Sequence, residues 1–309
     1  MPTNPVTCLG PNDRLLTDGG LETVLVFQHG LDLPAFAAFP QLYSEHGRDL
    51  LRAYFQEYLA VAAQAGAGFV LETPTWRANR DWASQLGYSR SQLTDVAYQS
   101  VELARDLQKD WTGSGPVLVS GCIGPRGDGY VPGETMPIDQ AADYHRAQVL
   151  DLTTAGADLV TSFTLSYPEE GAGVAAAAAE LGTPSVIGFT VETDGRLPCG
   201  APLGEAIEQV DAATGGAPAW YMINCAHPDH VLPGLPQQPQ PWMSRIGAYR
   251  ANASRLTHAE LDEADRLDAG DPNELAQGYV ALLDRLPALR VLGGCCGTDI
   301  RHITAIAHL

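Results

Sequence analysis

The stretch RVLGGCCGTDI, residues 290–300, joins a short apolar run to two adjacent cysteines that stand between glycines. A continuous apolar run of this length is typical of a strand that is buried on both faces. The residues that follow it, DIRHITAIAHL (299–309), have the spacing of a helix. The same order of strand and helix recurs upstream, so this last unit shows how the rest of the chain is organised.

Seven earlier runs have the same strand-like character. They are RLLTDGG (14–20), AGFVLET (67–73), PVLVSGCIG (116–124), ADLVTSFT (157–164), PSVIGFT (184–190), AWYMINC (219–225) and WMSRIGAY (242–249). Helical patterns between them predict helices at 47–66, 89–110, 138–156, 168–182, 202–215 and 271–286. The stretch 227–241 is predicted to be a short helix or a loop.

The number of units predicts the fold class. Strands that alternate with helices through short connections form parallel sheets, and eight such units at this chain length match an α/β fold, the (β/α)8 TIM barrel. We therefore predict a single domain over residues 1–309. An open doubly wound sheet is the alternative, which is weakened because no G-x-G-x-x-G follows the first strand.

The charge balance disfavours two classes of partner. The chain has 37 acidic and 18 basic residues, and the resulting negative charge repels nucleic acid and anionic membranes. We find no run of 18 apolar residues and no pattern of a signal peptide, so we expect a cytoplasmic location in which thiols stay reduced. The cysteines are therefore interpreted first as metal ligands, nucleophiles or buried hydrophobic residues, and last as disulfides. Composition leaves open whether the chain forms a homo-oligomer.

Three cysteines are predicted to meet at one end of the barrel. Cys225 ends the sixth strand, and Cys295 and Cys296 end the eighth. One strand lies between the sixth and the eighth, so these two strands are roughly 10 Å apart at the usual spacing of ~4.8 Å between neighbours. A zinc ion with bonds of ~2.3 Å to sulfur can bridge this distance if the side chains converge. Three thiolates and one open position are typical of a catalytic zinc site. The alternative is that these cysteines are small buried hydrophobic residues.

The remaining cysteines are interpreted as packing residues. Cys8 lies in the N-terminal tail and Cys199 lies in a loop rich in Pro and Gly. Cys122 also ends a strand and is a rival ligand, although its SGCIGP context indicates close packing.

Several motifs resemble one known family over nearly the whole chain. LGGCCGT (292–298), NC (224–225), TDGG (17–20), GCIGPRG (121–127) and GFTVETDGRLPCGAPLGEAI (188–207) are similar to stretches of the zinc-dependent homocysteine S-methyltransferases. The resemblance implies a barrel in which three cysteines hold zinc and the substrate thiol takes the fourth position. A methyl group would then move from S-methylmethionine, S-adenosylmethionine or a betaine to homocysteine, giving methionine, without a protein nucleophile.

The resemblance also implies a set of substrate-binding residues. In the family, the Asp of the Asp-Gly-Gly turn contacts the amino group of homocysteine, which assigns that role to Asp18 beside Gly19; the alternative is that Asp18 only forms the turn. Asn224 belongs to the same set through the Asn-Cys pair. Family members commonly carry a Glu at the end of the fourth strand, where this chain has Phe163. We expect Glu72, after the second strand, to supply the missing carboxylate.

Other polar and aromatic residues near the strand ends have weaker assignments. The aromatic residues Trp76, Tyr130, Phe163 and Tyr167 could form a cage for an onium donor, because aromatic faces attract cations; ordinary packing of loop aromatics is the alternative. His227 is a candidate substitute ligand or a partner of a ligand. Glu169 and Glu170 are predicted to be solvated residues of a first helical turn.

Three other functions remain open at this point. The same zinc barrel could act on a different thiol or demethylate a small onium compound. A non-catalytic zinc- or thiol-binding protein would close its site with Cys122 or His227 as a fourth ligand. A zinc hydrolase is disfavoured, because three thiolates make zinc a poor Lewis acid for water and no H-E-x-x-H motif is present.

Overall fold

Eight parallel strands close into a barrel in the computed structural model, which describes residues 9–10, 13–264 and 266–309. Each strand pairs with the next in sequence, and β8 pairs with β1, so the sheet has no open edge. The strands are β1 Leu15–Leu16, β2 Gly68–Glu72, β3 Val117–Ile123, β4 Leu159–Leu165, β5 Ser185–Phe189, β6 Trp220–Ala226, β7 Ile246–Ala251 and β8 Val291–Gly294. The predicted (β/α)8 barrel is confirmed, and the open sheet is excluded.

Helices surround the barrel and carry the chain from each strand to the next. They are α1 Leu21–Phe27, α2 Glu45–Gln64, α3 Arg80–Gln85, α4 Arg90–Lys109, α5 Ile138–Ala155, α6 Pro168–Glu180, α7 Leu203–Thr214, α8 Pro228–Val231, α9 His258–Asp262, α10 Pro272–Arg285 and α11 Ile300–Ala307. Within the described part of the chain, no helix has the length and apolar character needed to cross a bilayer.

Alternation along the strands separates an outer apolar layer from the barrel interior. On β2, Phe69 faces the helices, whereas Val70 belongs to the interior cluster. Because side chains alternate, the next inward position after Val70 is Glu72, and the next after Met222 on β6 is Asn224. The interior is therefore apolar near the start of the strands and polar at their carboxyl ends, where active sites of this fold lie.

Two predicted strands have different bounds in the structure. Only Leu15–Leu16 form β1, because the chain turns at Asp18 and enters α1, a helix that the sequence analysis missed. The predicted strand at 242–249 is wrong in its first half: Pro241–Arg245 form a 3-10 helix, and β7 begins at Ile246. Proline at the first helical position favours this turn, since its φ angle suits a helix and it needs no hydrogen-bond partner.

Glu170 corrects another prediction. The sequence predicts a solvated side chain at this position, but only 1% of the residue is exposed. Its Oε1 accepts the backbone N–H of Arg126 at 2.7 Å and lies 3.0 Å from His145 Nε2. Glu169, on the same turn of α6, is half-buried and accepts a hydrogen bond from Gln209. Glu170 therefore anchors the loop after β3 rather than facing water.

Candidate metal centre and active site

Three cysteine side chains meet at the carboxyl end of the barrel. The Sγ atoms of Cys225, Cys295 and Cys296 all lie within 4.8 Å of one another. Cys225 and Cys295 form a disulfide, a pairing that the sequence analysis ranked below metal binding. The Sγ of Cys296 lies 3.6 Å from that of Cys225. Reduction of the disulfide would give three thiols at one point of the barrel rim.

The backbone around Cys225 aims its side chain at the other two cysteines. Cys225 has a left-handed conformation with φ 55°, which is uncommon for a residue other than glycine. Its carbonyl oxygen accepts hydrogen bonds from His258 Nε2 at 2.8 Å and from Thr190 Oγ1 at 3.4 Å. These contacts hold the end of β6 in a conformation that a regular strand would not adopt. Such local strain is frequent at functional sites.

Close contact between the backbone after β1 and the backbone after β8 fixes the position of Cys295. A Cβ atom added to Gly20 would lie 2.6 Å from the carbonyl oxygen of Cys295, and the N–H of Cys295 donates to Ala251 at 2.7 Å. Gly19 is equally crowded, because an added Cβ would lie 2.8 Å from the carbonyl oxygen of Thr298. The Asp-Gly-Gly turn thus lets the chain after β1 pack directly against the cysteine turn after β8.

The donor set suits zinc. Three sulfur ligands at this spacing match a soft or borderline cation, and zinc binds thiolates readily. Within the described residues, no fourth His, Cys, Asp or Glu ligand atom joins the cluster within 4.8 Å. His227 instead caps α8, where its Nδ1 accepts the N–H of Asp229 at 3.1 Å, and burial lowers its pKa to about 4. Neither His227 nor Cys122 closes the site.

A tyrosine and a histidine cover one side of the cysteine cluster. Tyr130 donates a hydrogen bond from its hydroxyl to Cys225 Sγ at 3.2 Å. Its ring centroid lies 4.2 Å from that of His258, whose Nδ1 is 3.1 Å from Glu192 Oε1. His258 was not predicted as a site residue, although the pattern T-H-A-E at 257–260 has the spacing of a capping box and indicates α9.

A pocket extends from the cysteines into the barrel, and its wall contains every predicted substrate residue. The predicted residues that line it are Asp18, Gly19, Glu72, Phe163 and Asn224. Of the predicted aromatic cage, Trp76, Tyr130 and Phe163 line the pocket. Tyr167 does not; its hydroxyl accepts the N–H of Met136 at 3.2 Å. The cage prediction is therefore wrong for Tyr167.

Asp18 is paired within the protein. Its Oδ2 accepts a hydrogen bond from Tyr54 at 3.0 Å, and its Oδ1 lies 2.9 Å from Nη2 of Arg250. Both members of the ion pair are buried, and burial raises the pKa of Asp18 although Arg250 opposes the shift. Arg250 was missed by the sequence analysis. An arginine one residue after a predicted buried strand was the available signal, because a charge at such a position is rarely buried without a partner.

Glu72 and Phe163 face the same arginine. Burial raises the pKa of Glu72 to about 7, and the charge of Arg250 only partly offsets this effect. Oε2 of Glu72 has no hydrogen-bond partner among the described residues. The Arg250 guanidinium lies 5.0 Å from the centroid of the Phe163 ring, so the position at which the family commonly has Glu is an apolar surface for a cation here.

Replacing Glu72 with glutamine is expected to stabilise the protein more at pH 8 than at pH 5. The folded pKa of Glu72 is about 7 against an ordinary value of 4.5. The stability contribution of the protonated carboxyl is thus complete below pH 4.5 and is lost as pH rises through 7. The buried carboxylate costs about 3 kcal/mol at pH 8, and Gln removes this cost.

Melting temperatures of wild type and variant at both pH values measure the difference. The exposed Glu208→Gln is the control, and an equal effect of Glu72→Gln at both pH values would refute the prediction.

A closed parallel barrel with a pocket and three clustered sulfurs at its carboxyl end is the architecture of a barrel enzyme whose site suits a thiophilic metal. Comparison with models of protein families matches residues 15–309 to homocysteine S-methyltransferase. The chain belongs to the homocysteine S-methyltransferase family and is a methyltransferase.

Individual relatives agree with this assignment. Homocysteine S-methyltransferase 2 of Arabidopsis thaliana is 24% identical, with 94% of this chain and 90% of that protein covered. Selenocysteine Se-methyltransferase of Brassica oleracea var. italica is 26% identical over 94% of this chain and 87% of its own. The homocysteine methyltransferase MmuM from Escherichia coli has the same fold. Its oxidised form matches with a TM-score of 0.76 at 21% identity, covering 97% of this chain and 99% of that one. Its metallated form matches with a TM-score of 0.72 at 23% identity, covering 96% of each chain.

Proposed function

We propose that this protein is a zinc-dependent S-methyltransferase that moves a methyl group from an onium donor to the thiol of homocysteine, giving methionine. The observation that carries the proposal is the convergence of the Cys225, Cys295 and Cys296 sulfurs within 4.8 Å beside the pocket. The three cysteines would hold zinc as thiolates, and the bound metal would lower the pKa of an added thiol so that the thiol could react as its thiolate near neutral pH.

The chain's own residues then bind and orient the two substrates. The acceptor's polar end would lie against Asp18, Glu72, Asn224 and Arg250 at the pocket floor. The donor's onium group would lie toward Trp76 and Tyr130 on the other side, because aromatic faces attract cations. The new sulfur–methyl bond forms as the bond from the methyl group to the onium atom breaks, and the electron pair stays on that sulfur or nitrogen atom, which loses its positive charge. No protein nucleophile takes part.

The names of the relatives support this choice of chemistry. One plant relative is a homocysteine S-methyltransferase and another is a selenocysteine Se-methyltransferase, so both names specify methyl transfer to sulfur or its heavier analogue. A metallated form of MmuM supports a metal in this family. We further propose that residues 1–309 form one homocysteine-binding-type domain. We also propose that the reaction takes place in the cytoplasm, where the three thiols stay reduced.

Mass spectrometry of the product tests the proposal. Protein purified in a reductant and loaded with zinc is incubated with carbon-13-labelled homocysteine and, in separate reactions, with S-methylmethionine, S-adenosylmethionine or betaine whose transferable methyl groups are deuterated. We expect methionine that carries both labels from one donor, with a kcat of about 1 per second or more. Zinc-loaded protein that makes no doubly labelled methionine with any of the three donors would refute the proposal.

A second candidate keeps the metal site but changes the acceptor. Phe163 stands in place of the usual Glu, and Arg250 already neutralises Asp18. Both observations alter the place where the amino group of homocysteine is expected to bind. A thiol with a different polar end is therefore the competing substrate, and the same assay tests it by replacing homocysteine.

A further inference from the structure

We infer that Arg250 and Asn224 form a binding site for the carboxylate of the acceptor thiol, and that the acceptor's amino group contributes little to recognition. The inference rests on the proposed function and specifies its substrate class: short thiols that carry a carboxylate, with or without an amino group. Homocysteine belongs to this class, and so does 4-mercaptobutyrate, which is homocysteine without its amino group.

The partners of Asp18 disfavour an ammonium site at that residue. Oδ2 accepts a hydrogen bond from Tyr54 at 3.0 Å, and Oδ1 accepts no hydrogen bond among the described residues but lies 2.9 Å from the charged Nη2 of Arg250. An ammonium group bound there would either displace Arg250 from a buried ion pair or lie beside its positive charge, and juxtaposed like charges repel. Phe163 offers no second carboxylate and instead contacts the guanidinium.

Two N–H donors in the pocket wall point to an anionic ligand. Nη1 of Arg250 and Nδ2 of Asn224 are buried and have no hydrogen-bond partner among the described residues. Both residues line the pocket. They are register partners on the adjacent strands β6 and β7, so their side chains start side by side. Buried donors are seldom left unpaired, and a guanidinium and an amide together suit a carboxylate.

The remaining atoms of both side chains are already held in place. Arg250 Nε donates to the carbonyl of Gly294 at 2.8 Å, and Nη2 donates to the carbonyl of Gly19 at 3.0 Å. Asn224 Oδ1 accepts the N–H of Thr164 at 3.0 Å. The donors Nη1 and Nδ2 are therefore presented by side chains that have little freedom to turn away, which lowers the entropy cost of binding.

The site's position along the chain limits the length of the ligand. Asn224 immediately precedes Cys225, and Gly294, which holds Arg250, immediately precedes Cys295. A ligand that places its sulfur at the cysteine cluster therefore needs only a short chain to bring its carboxylate to these two donors. Glu72 and Glu22 also line the pocket, and burial raises the pKa of each to about 7, which reduces their repulsion of an anion near neutral pH.

Three matched thiols test the inference on the unmodified, zinc-loaded enzyme: homocysteine, 4-mercaptobutyrate and 3-aminopropane-1-thiol, which lacks the carboxylate. We expect 4-mercaptobutyrate to retain kcat/KM within about tenfold of homocysteine, and the aminothiol to lose about a hundredfold or more. The reverse order would overturn the inference and leave the methyltransferase proposal intact. Failure of all three thiols would remove both.

Binding without turnover provides a second readout. Calorimetry with the methylated forms, 4-(methylthio)butyrate and 3-(methylthio)propylamine, should give a dissociation constant at least about tenfold lower for the acid. Equal affinity of the two thioethers, or tighter binding of the amine, would contradict a carboxylate site.

Asn224→Asp isolates one of the two donors. The variant keeps an oxygen that can accept the Thr164 N–H but replaces Nδ2 with an acceptor. We expect KM for 4-mercaptobutyrate to rise by about tenfold or more, with a smaller change in kcat, and discrimination against the aminothiol to fall. A purely structural role would lower activity toward both thiols equally. Arg250→Lys, which keeps the positive charge beside Asp18 and removes the planar fork, should change the same preference in the same direction.

Discussion

Replacing Cys296 with serine is expected to remove bound zinc and to lower methyl transfer about a thousandfold or more, because the metal activates the acceptor thiol. Cys296 is the most informative of the three cysteines, since the structure pairs Cys225 and Cys295 with each other. Without its sulfur, two thiolates remain after reduction, and a two-sulfur site binds zinc much less tightly. The zinc content of the reduced protein, measured by elemental analysis, should fall from about one ion per chain to almost none.

Cys199→Ser is the matched control for that measurement. Cys199 is exposed and does not line the pocket. Its serine variant has one thiol fewer than the wild type, as Cys296→Ser does, but it should retain both zinc and activity. Retention of a full zinc equivalent by Cys296→Ser would contradict the assignment of Cys296 as a ligand. Loss of zinc with full retention of activity would contradict the role of the metal.

Replacing Arg250 with methionine is expected to lower the free energy of unfolding by about 3–5 kcal/mol. The side chains of Asp18 and Arg250 are only 4% and 5% exposed, so the variant leaves the Asp18 carboxylate buried without its counter-charge. Chemical denaturation of wild type and variant at pH 7 measures the loss. Arg250 is also built into the site, and the same variant should weaken binding of the acceptor.

Asp106→Asn provides the comparison for the ion pair. Asp106 pairs with Lys109 on the exposed face of α4, and an exposed pair contributes at most about 1 kcal/mol. In the double variant Asp18→Asn with Arg250→Met, the buried charge is gone, so the loss should be smaller than the sum of the two single losses. Additive losses would show that Asp18 and Arg250 do not depend on each other.

The barrel and the cysteine cluster could be predicted because each is encoded locally. Buried parallel strands are continuous apolar runs, and eight of them alternate with helices, which leaves few arrangements of the chain. Parallel strands of a barrel all end on one face, so Cys225 and Cys295 had to share a rim once their strands were recognised. The glycines near the ends of the first and eighth strands also indicated close packing there, and Gly20 indeed packs against the backbone of Cys295.

The polar floor of the pocket could not be predicted in the same way. Asp18 and Arg250 are 232 positions apart, and no local pattern states which carboxylate an arginine will pair with. The strand that carries Arg250 was also placed too early, because the apolar residues of Pro241–Arg245 resemble a strand but form a 3-10 helix. The resemblance to the family assigns an amino-group site to Asp18, but no pattern in the sequence indicated that the guanidinium of Arg250 would lie 2.9 Å from its Oδ1.

X-ray absorption at the zinc edge tests the central claim most directly: that three cysteine thiolates hold the metal and leave a position for the acceptor thiol. Reduced, zinc-loaded protein is measured without and with homocysteine, and Cys199→Ser is measured alongside. We predict three sulfur ligands in the absence of the thiol and four in its presence, for both proteins. A sulfur count that does not change on addition of homocysteine, or a resting site that already has four protein ligands, would contradict the account.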